Sequence, residues 1–234
     1  MTTAPMKYGY GLNLTGSSEP SVRKNIYKSI LQRFRKHIII LSILHLGERI
    51  GIQITPYYLT SESLPDETQI KCTPKINPVE CSFISEPEIS RLYSSPELKN
   101  LDVDLAGRQN ADSQCFVLRH GNDILAYMWC NLHRFEGLRL RFPLKENEAF
   151  IFGVRTLNDY QGMNLAPFLR YRLYQNLAQR GYTNFFLLTE YFNAPAIKVG
   201  QKLNARRLKL ALFISIFHKL KWNINLKNFS TRIE

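Results

Sequence analysis

Two short stretches carry residue types that could do chemistry. The first runs from Ala149 to Pro167, AFIFGVRTLNDYQGMNLAP. An apolar strand ends, a polar turn follows, and a helix begins in a cluster of small or turn-prone residues. Gly162 and Asn164 tolerate positive φ, so the turn can fold its backbone N–H groups inward. Pro167 suits the first helical turn, where it needs no N–H partner. A helix N-terminus with exposed N–H groups binds anions, and a pyrophosphate fits it well. The same pattern also makes a plain strand-to-helix connection, and both readings stay open here. The second stretch, Asn193-Ala194-Pro195-Ala196, follows the apolar run Phe185-Phe186-Leu187-Leu188-Thr189. A metal centre is not expected. The four cysteines (Cys72, Cys81, Cys115, Cys130) form no C-x-x-C pair, and the five histidines show no H-E-x-x-H spacing. Cys115 and Cys130 lie in apolar runs and read as buried thiols.

The first stretch resembles the acyl-CoA loop of the GNAT superfamily of N-acyltransferases. That loop reads Arg/Gln-x-x-Gly-x-Gly/Ala, usually with a glycine directly after its first residue. Gln161 stands at the Arg/Gln position, Gly162 follows it, and Ala166 takes the last small position, with Met163 and Leu165 between. Asn164 replaces a glycine, a mild departure because Asn is the next best residue for a left-handed turn. Asn158-Asp159-Tyr160 resembles the family's Pro-Glu/Asp-Tyr lead-in. Asn193 and Ala196 resemble its Asn-x-x-Ala, whose Asn hydrogen-bonds the pantetheine arm. Where the family often carries a tyrosine general acid, this sequence has Gly200, and a later Gly-Phe pair is met only by Asn204-Ala205. The resemblance covers about residues 81–222, and residues 1–80 match no known pattern.

The resemblance implies an amine attacking a thioester carbonyl in a ternary complex. The cofactor-binding set it implies is Val154, Thr156, Gln161, Gly162, Met163, Asn164, Leu165, Ala166 and Asn193. The strand ending at Thr156 would lie along the pantetheine, with the Val154 N–H as the expected donor to the thioester carbonyl. Glu148 is the first candidate base, thirteen residues before Gln161, where histone-type members carry a catalytic glutamate. Glu190 and Tyr191, after the next strand, are the runners-up. The donor is acyl-CoA, acetyl by default. Phe150, Phe152, Phe185, Phe186, Tyr191 and Phe192 near the site suggest a longer chain, or read simply as core. Leu208–Trp222, apolar then basic, loosely resembles fatty-acyl-transferring members.

The elements that must position these residues are legible from periodicity. Strands are expected at 115–119, 124–131, 148–157 and 184–189, with a hairpin after 131. Helices are expected at 86–93, 96–108, 166–179 and 193–203. Leu208–Phe217 reads as a further strand, followed by a basic aromatic tail from His218. This order predicts a mixed α/β fold with a mostly antiparallel central sheet and flanking helices. Upstream, Val22, Ile26, Ile30, Phe34 and Ile38 recur every four residues and predict a basic amphipathic helix to Leu46. Residues 53–82, with Pro56, Pro65, Pro74 and Pro78, read as a connector with at most one short strand. The expected division is an extension at 1–80 and an acyltransferase domain at 81–234.

The chain has 234 residues, 44% hydrophobic, and a net charge of +12. That is enough for a sizeable core and favours acidic partners. The candidates are a polyphosphate cofactor, an acidic acyl carrier protein replacing CoA, or an anionic membrane surface. Nucleic acid is disfavoured, because the basic residues spread over 1–50, 134–180 and 198–232 without forming a stripe. No apolar run reaches the length of a membrane span, and Met1–Gly11 lacks a signal pattern, so a cytoplasmic protein, peripheral to a membrane at most, is expected. A homodimer and a catalytically inactive CoA-binding scaffold are both compatible with the sequence. The amine acceptor, a small molecule or a peptide, is not specified by it.

Overall fold

The computed structural model describes residues 44, 46–66, 73–94, 112–138 and 140–229. The chain divides into two units, Met1–Arg49 and Ile50–Glu234. The helix expected at 22–46 lies outside the described residues except for Leu44 and Leu46, and the helix expected at 96–108 lies wholly outside them.

The second unit is built on an eight-stranded sheet. Its strands are β1 (Ile52–Glu62), β2 (Glu80–Phe83), β3 (Ser113–His120), β4 (Asp123–Asn131), β7 (Glu148–Thr156), β8 (Asn184–Glu190), β9 (Arg206–Ile216) and β10 (Leu220–Asn228). The spatial order is β10-β9-β1-β8-β7-β4-β3-β2. Every neighbouring pair is antiparallel except β7–β8. A separate hairpin of β5 (Arg134–Gly137) and β6 (Leu140–Pro143) stacks Phe135 on Phe150 at 4.3 Å. Three helices are described: α1 (Glu86–Ser94), α2 (Leu165–Gln179) and α3 (Ala194–Lys202). None of the helices among the described residues is long and apolar enough to cross a membrane.

The expected mixed, mostly antiparallel architecture is the one observed. The beginning of the domain differs. The compact unit starts at Ile50, and β1 lies between β8 and β9 instead of in a connector. Pro56 masked this strand, because proline cannot donate to a ladder. It is tolerated because β1 pairs with β8 only from Tyr57 onward, and the Pro56 carbonyl accepts the Tyr191 N–H at 2.8 Å. The expected tail also differs: Leu220–Asn228 is an ordered edge strand.

Local signals explain the remaining elements. Ser85 and Glu88 form a capping box on α1: the Ser85 N–H and hydroxyl both donate to the Glu88 carboxylate at 3.0 Å. Arg119 donates to the same carboxylate at 2.6 Å. These contacts hold Glu88 at a pKa of about 2, first through the Ser85 backbone N–H and then through Arg119. Helix α2 buries Leu165, Leu169, Leu173, Tyr174 and Leu177 against Leu118, Met128, Ile151 and Phe185. Each such leucine contributes roughly 1.5–3 kcal/mol by leaving water. That burial fixes the helix whose first turn frames the site.

Candidate active site

β7 and β8 run parallel and pair only from Glu148↔Asn184 to Ile151↔Leu187. Beyond Ile151 they part. The cause lies in β7, where Gly153 sits at φ 59° and the register with β4 slips between Trp129↔Phe152 and Tyr127↔Arg155. A glycine in left-handed conformation gives a bulge that bends its strand. Sequence reading did not single out Gly153, although a glycine inside an apolar strand is a bulge signal. Gly153→Ala is expected to cost about 1–2 kcal/mol, because a Cβ disfavours that conformation. A thermal melt reads this as a clear fall in Tm, and an unchanged Tm would mean the bulge does not depend on glycine.

Past the bulge, Val154, Arg155 and Thr156 form one wall of a cleft of about 870 Å³. The chain then makes a short 3-10 turn, Asn158–Tyr160, and enters the loop, where Gln161 Nε2 donates to Asn158 Oδ1 at 3.1 Å. Gly162 (φ 77°) and Asn164 (φ 62°) both adopt left-handed conformations, as their residue types predict. Tyr160, Gln161, Gly162, Asn164, Leu165, Ala166 and Pro167 line the cleft beside the start of α2. Pro195, Lys198, Val199 and Lys202 close it from α3, and Thr73 and Lys75 from the segment before β2.

Asn164 does more than accept an unusual φ. Its side chain does not cap α2. Its Nδ2 donates to the Thr73 carbonyl at 2.9 Å, and its Oδ1 accepts from Lys202 Nζ at 2.7 Å. The Lys75 N–H donates to the Met163 carbonyl at 3.1 Å. A glycine at position 164 would keep the turn and lose this bridge between the pre-β2 segment and α3. Sequence reading missed Thr73 and Lys75, which lie some ninety residues from their partners.

The structure brings together Val154, Thr156, Gln161, Gly162, Asn164, Leu165 and Ala166. Met163 instead turns its side chain into the main core. Asn193 is the N-cap of α3, its Oδ1 accepting the Ala196 N–H at 3.0 Å, and its side chain is not part of the cleft wall. Glu148 lies at the far end of β7, six residues before Val154, or roughly 20 Å along a strand. There its carboxylate accepts the Lys145 N–H at 3.0 Å and closes the preceding turn. Glu190 and Tyr191 lie at the cleft end of the sheet but outside its wall, with Tyr191 packed on Tyr58 at 5.5 Å. Gly200 is buried, and a Cβ there would lie 3.1 Å from Ala205 and 3.4 Å from Glu62 Oε1. That position has no room for a tyrosine.

The electrostatics of the wall are one-sided. Among the described residues, Lys75, Arg155, Lys198 and Lys202 line it, with no Asp, Glu, His or Cys. Burial pushes the Cys115 and Cys130 thiols up to about 12 and Cys81 to about 11, so none of the three is a nucleophile at neutral pH. A concave wall of cations and backbone N–H groups attracts a polyanion.

The acetyltransferase (GNAT) family model matches residues 82–204. Among solved structures, a GCN5-related N-acetyltransferase-like protein from Streptococcus suis 89/1591 is 14% identical, with 73% of this chain and 66% of that one covered at a TM-score of 0.50. A GCN5-related N-acetyltransferase from Kribbella flavida is 14% identical, covering 71% and 60% at 0.48. The ribosomal-protein-S18-alanine N-acetyltransferase of Escherichia coli is 16% identical, covering 67% and 99% at 0.41. The chain thus spans two thirds or less of the length of the first two. No curated protein matches it in sequence. The matched segment takes in the diverging strands, the loop, α2 and α3, and more than half of the sequence: the chain belongs to the GNAT acetyltransferase family.

Proposed function

We propose that the chain is an N-acyltransferase that moves an acyl group from acyl-CoA to a primary amine of a small molecule or peptide, in a ternary complex. One observation carries this reading: among the described residues, the cleft beside the end of β7 has four cations and the loop backbone in its wall and no carboxylate. That donor set fits a nucleotide polyphosphate. The loop from Gln161 to Ala166 would hold the pyrophosphate, with Lys75, Arg155, Lys198 and Lys202 sharing the phosphate charge. Pro167 offers no N–H, so the amides before it carry that contact. Val154 to Thr156 would flank the pantetheine arm. When bound, the thioester supplies the activated carbonyl.

The protein's part is positioning and charge. The walls hold the two reactants in one cleft, which removes the entropy cost of their encounter. Among the described residues no carboxylate or imidazole faces the cleft, so the amine's proton leaves to water at the mouth. Acetyl is the preferred acyl group. Phe185 stacks on Tyr174 at 4.0 Å in the core, and Phe150 and Phe152 stack on each other at 5.0 Å, so these rings fill space instead of lining a tunnel. CoA is preferred to a carrier protein, whose prosthetic arm lacks the adenosine phosphates that four cations suit.

Thermal unfolding with CoA, acetyl-CoA, palmitoyl-CoA and phosphopantetheine tests this. A ligand at about a hundred times its Kd stabilises by about 2.7 kcal/mol, or roughly 5–10 °C in a domain of this size. CoA and acetyl-CoA are expected to give that shift and phosphopantetheine a much smaller one. No shift with CoA would remove the reading. A larger shift with palmitoyl-CoA would replace acetyl by a long chain.

A further inference from the structure

β10 is built the wrong way round for an edge strand facing water. Leu220, Trp222, Ile224 and Leu226 are 46–56% exposed, while the alternating Lys221 and Asn223 are half-buried. The register is pinned by Asn223, whose Oδ1 accepts the Tyr57 hydroxyl at 3.0 Å and whose Nδ2 donates to the Leu138 carbonyl at 2.6 Å. The apolar side therefore points away from the core formed by Tyr57, Ala211 and Phe213. It continues across two more strands. The cross-strand rows are Ile52–Ile216–Leu220, Ile54–Ile214–Trp222 and Pro56–Leu212–Ile224. All nine side chains are apolar, and none is fully buried. At ordinary strand spacings they tile a patch of about 10 Å by 13 Å. Phe217, 65% exposed, extends it at the hairpin turn. The marked exposure is that of the β9–β10 hairpin, where Phe217, Leu220, Trp222, Ile224 and Leu226 are each 46–65% exposed, a cluster and not the single scattered hydrophobics of an ordinary surface.

The charge around the patch selects the partner. From Arg206 to Phe229 the chain carries Arg206, Arg207, Lys209, Lys219 and Lys227, besides Lys221 on the alternate side of β10, and no Asp or Glu. Two copies stacked on this face would bring like charges together. Aliphatic side chains, an exposed tryptophan and long cations without carboxylates are the composition that suits the headgroup region of a lipid surface. We infer that the outer face of β1, β9 and β10 docks on an anionic bilayer, with the apolar grid in the interface and the cations at the margins of the hairpin, such as Lys219 and Lys227, at the headgroups. Each cation near such a surface strengthens binding roughly fivefold, and salt weakens it. This inference is independent of the acyl donor.

The test is vesicle flotation of the full chain, with vesicles of phosphatidylcholine alone and with about a third phosphatidylglycerol. Binding to the anionic vesicles is expected, at least about tenfold weaker without the anionic lipid and weakened by salt. The W222S/I224S variant is expected to lose roughly thirtyfold in affinity while still folding, with a Tm lowered by only several degrees, because both side chains are already about half in water. Trp222 fluorescence should shift to the blue on anionic vesicles and not on neutral ones. Three results would each overturn the inference. One is no vesicle binding, another is W222S/I224S floating like the wild type. The third is a dimer in sedimentation that this variant converts to monomer, which would make the face a self-interface.

Discussion

Reversing two charges on α3, K198E/K202E, is expected to weaken CoA binding at least about a hundredfold with only a small fall in the Tm of the ligand-free protein. The two lysines are one helical turn apart on the same face, so both reach the cleft. Both are exposed, and neither contributes to the core. A hydrogen bond to a charged group contributes about 1.5–3 kcal/mol, and two of them about 3–6 kcal/mol before solvent screening reduces the sum. The lower bound, about 2.7 kcal/mol, is a factor of about a hundred in Kd. The loss should shrink as salt rises, since screening already weakens the wild type. Titration calorimetry with CoA checks the affinity. Wild-type affinity in the double variant would mean that CoA does not occupy this cleft. The single variant K202M separates two effects, because Lys202 also holds Asn164 at 2.7 Å. It should lose more than K198M, through slackening of the loop as well as loss of charge.

The parts of the site that could be read in the sequence are those that local chemistry specifies. Gly162 and Asn164 announce a left-handed turn, and the apolar runs on either side announce the strand and helix that it joins. Those residues line the cleft. What could not be read is what depends on long-range pairing. Thr73 and Lys75 belong to the wall only because the pre-β2 segment crosses to the loop, a contact between residues about ninety positions apart. The position of β1 between β8 and β9 is likewise set by pairing, and Pro56 hid even its extended character. Glu148 lies apart from these residues. Its spacing from Gln161 is a distance along the chain, and most of that distance is spent along one straight strand, away from the cleft. Asn193 has the expected type and place, yet its side-chain oxygen is used by its own helix. Gly153, which opens the cleft, was one glycine in an apolar run until the register slip gave it a meaning.

Glu62→Ala is expected to destabilise the protein by about 3–5 kcal/mol, the usual cost of orphaning a buried charge. Glu62 ends β1 and is 3% exposed, and Arg170 on α2 is 4% exposed. Arg170 Nη1 donates to the two carboxylate oxygens at 3.0 and 3.2 Å, and the buried Tyr174 hydroxyl donates at 2.6 Å. Burial opposes the Arg170 charge, but the Glu62 carboxylate outweighs it, and the guanidinium pKa is raised. Burial, reinforced by Glu62, also raises the Tyr174 phenol well above its ordinary value, so the phenol stays a donor at any working pH. The trio joins β1 to α2, the helix whose first turn carries the loop. Removing the carboxylate leaves a guanidinium in the core, with Nε already unpartnered by protein. The Tm should fall by roughly 6–20 °C at 2–4 °C per kcal/mol. Replacing both ends, E62L/R170M, should recover most of that loss, because an apolar pair of similar volume avoids burying charge at all. The recovery is what distinguishes an orphaned charge from a simple cavity, since a cavity would add to the loss at the second substitution. If E62A lowers the Tm by less than about 2 °C, the ion pair is not what holds β1 to α2.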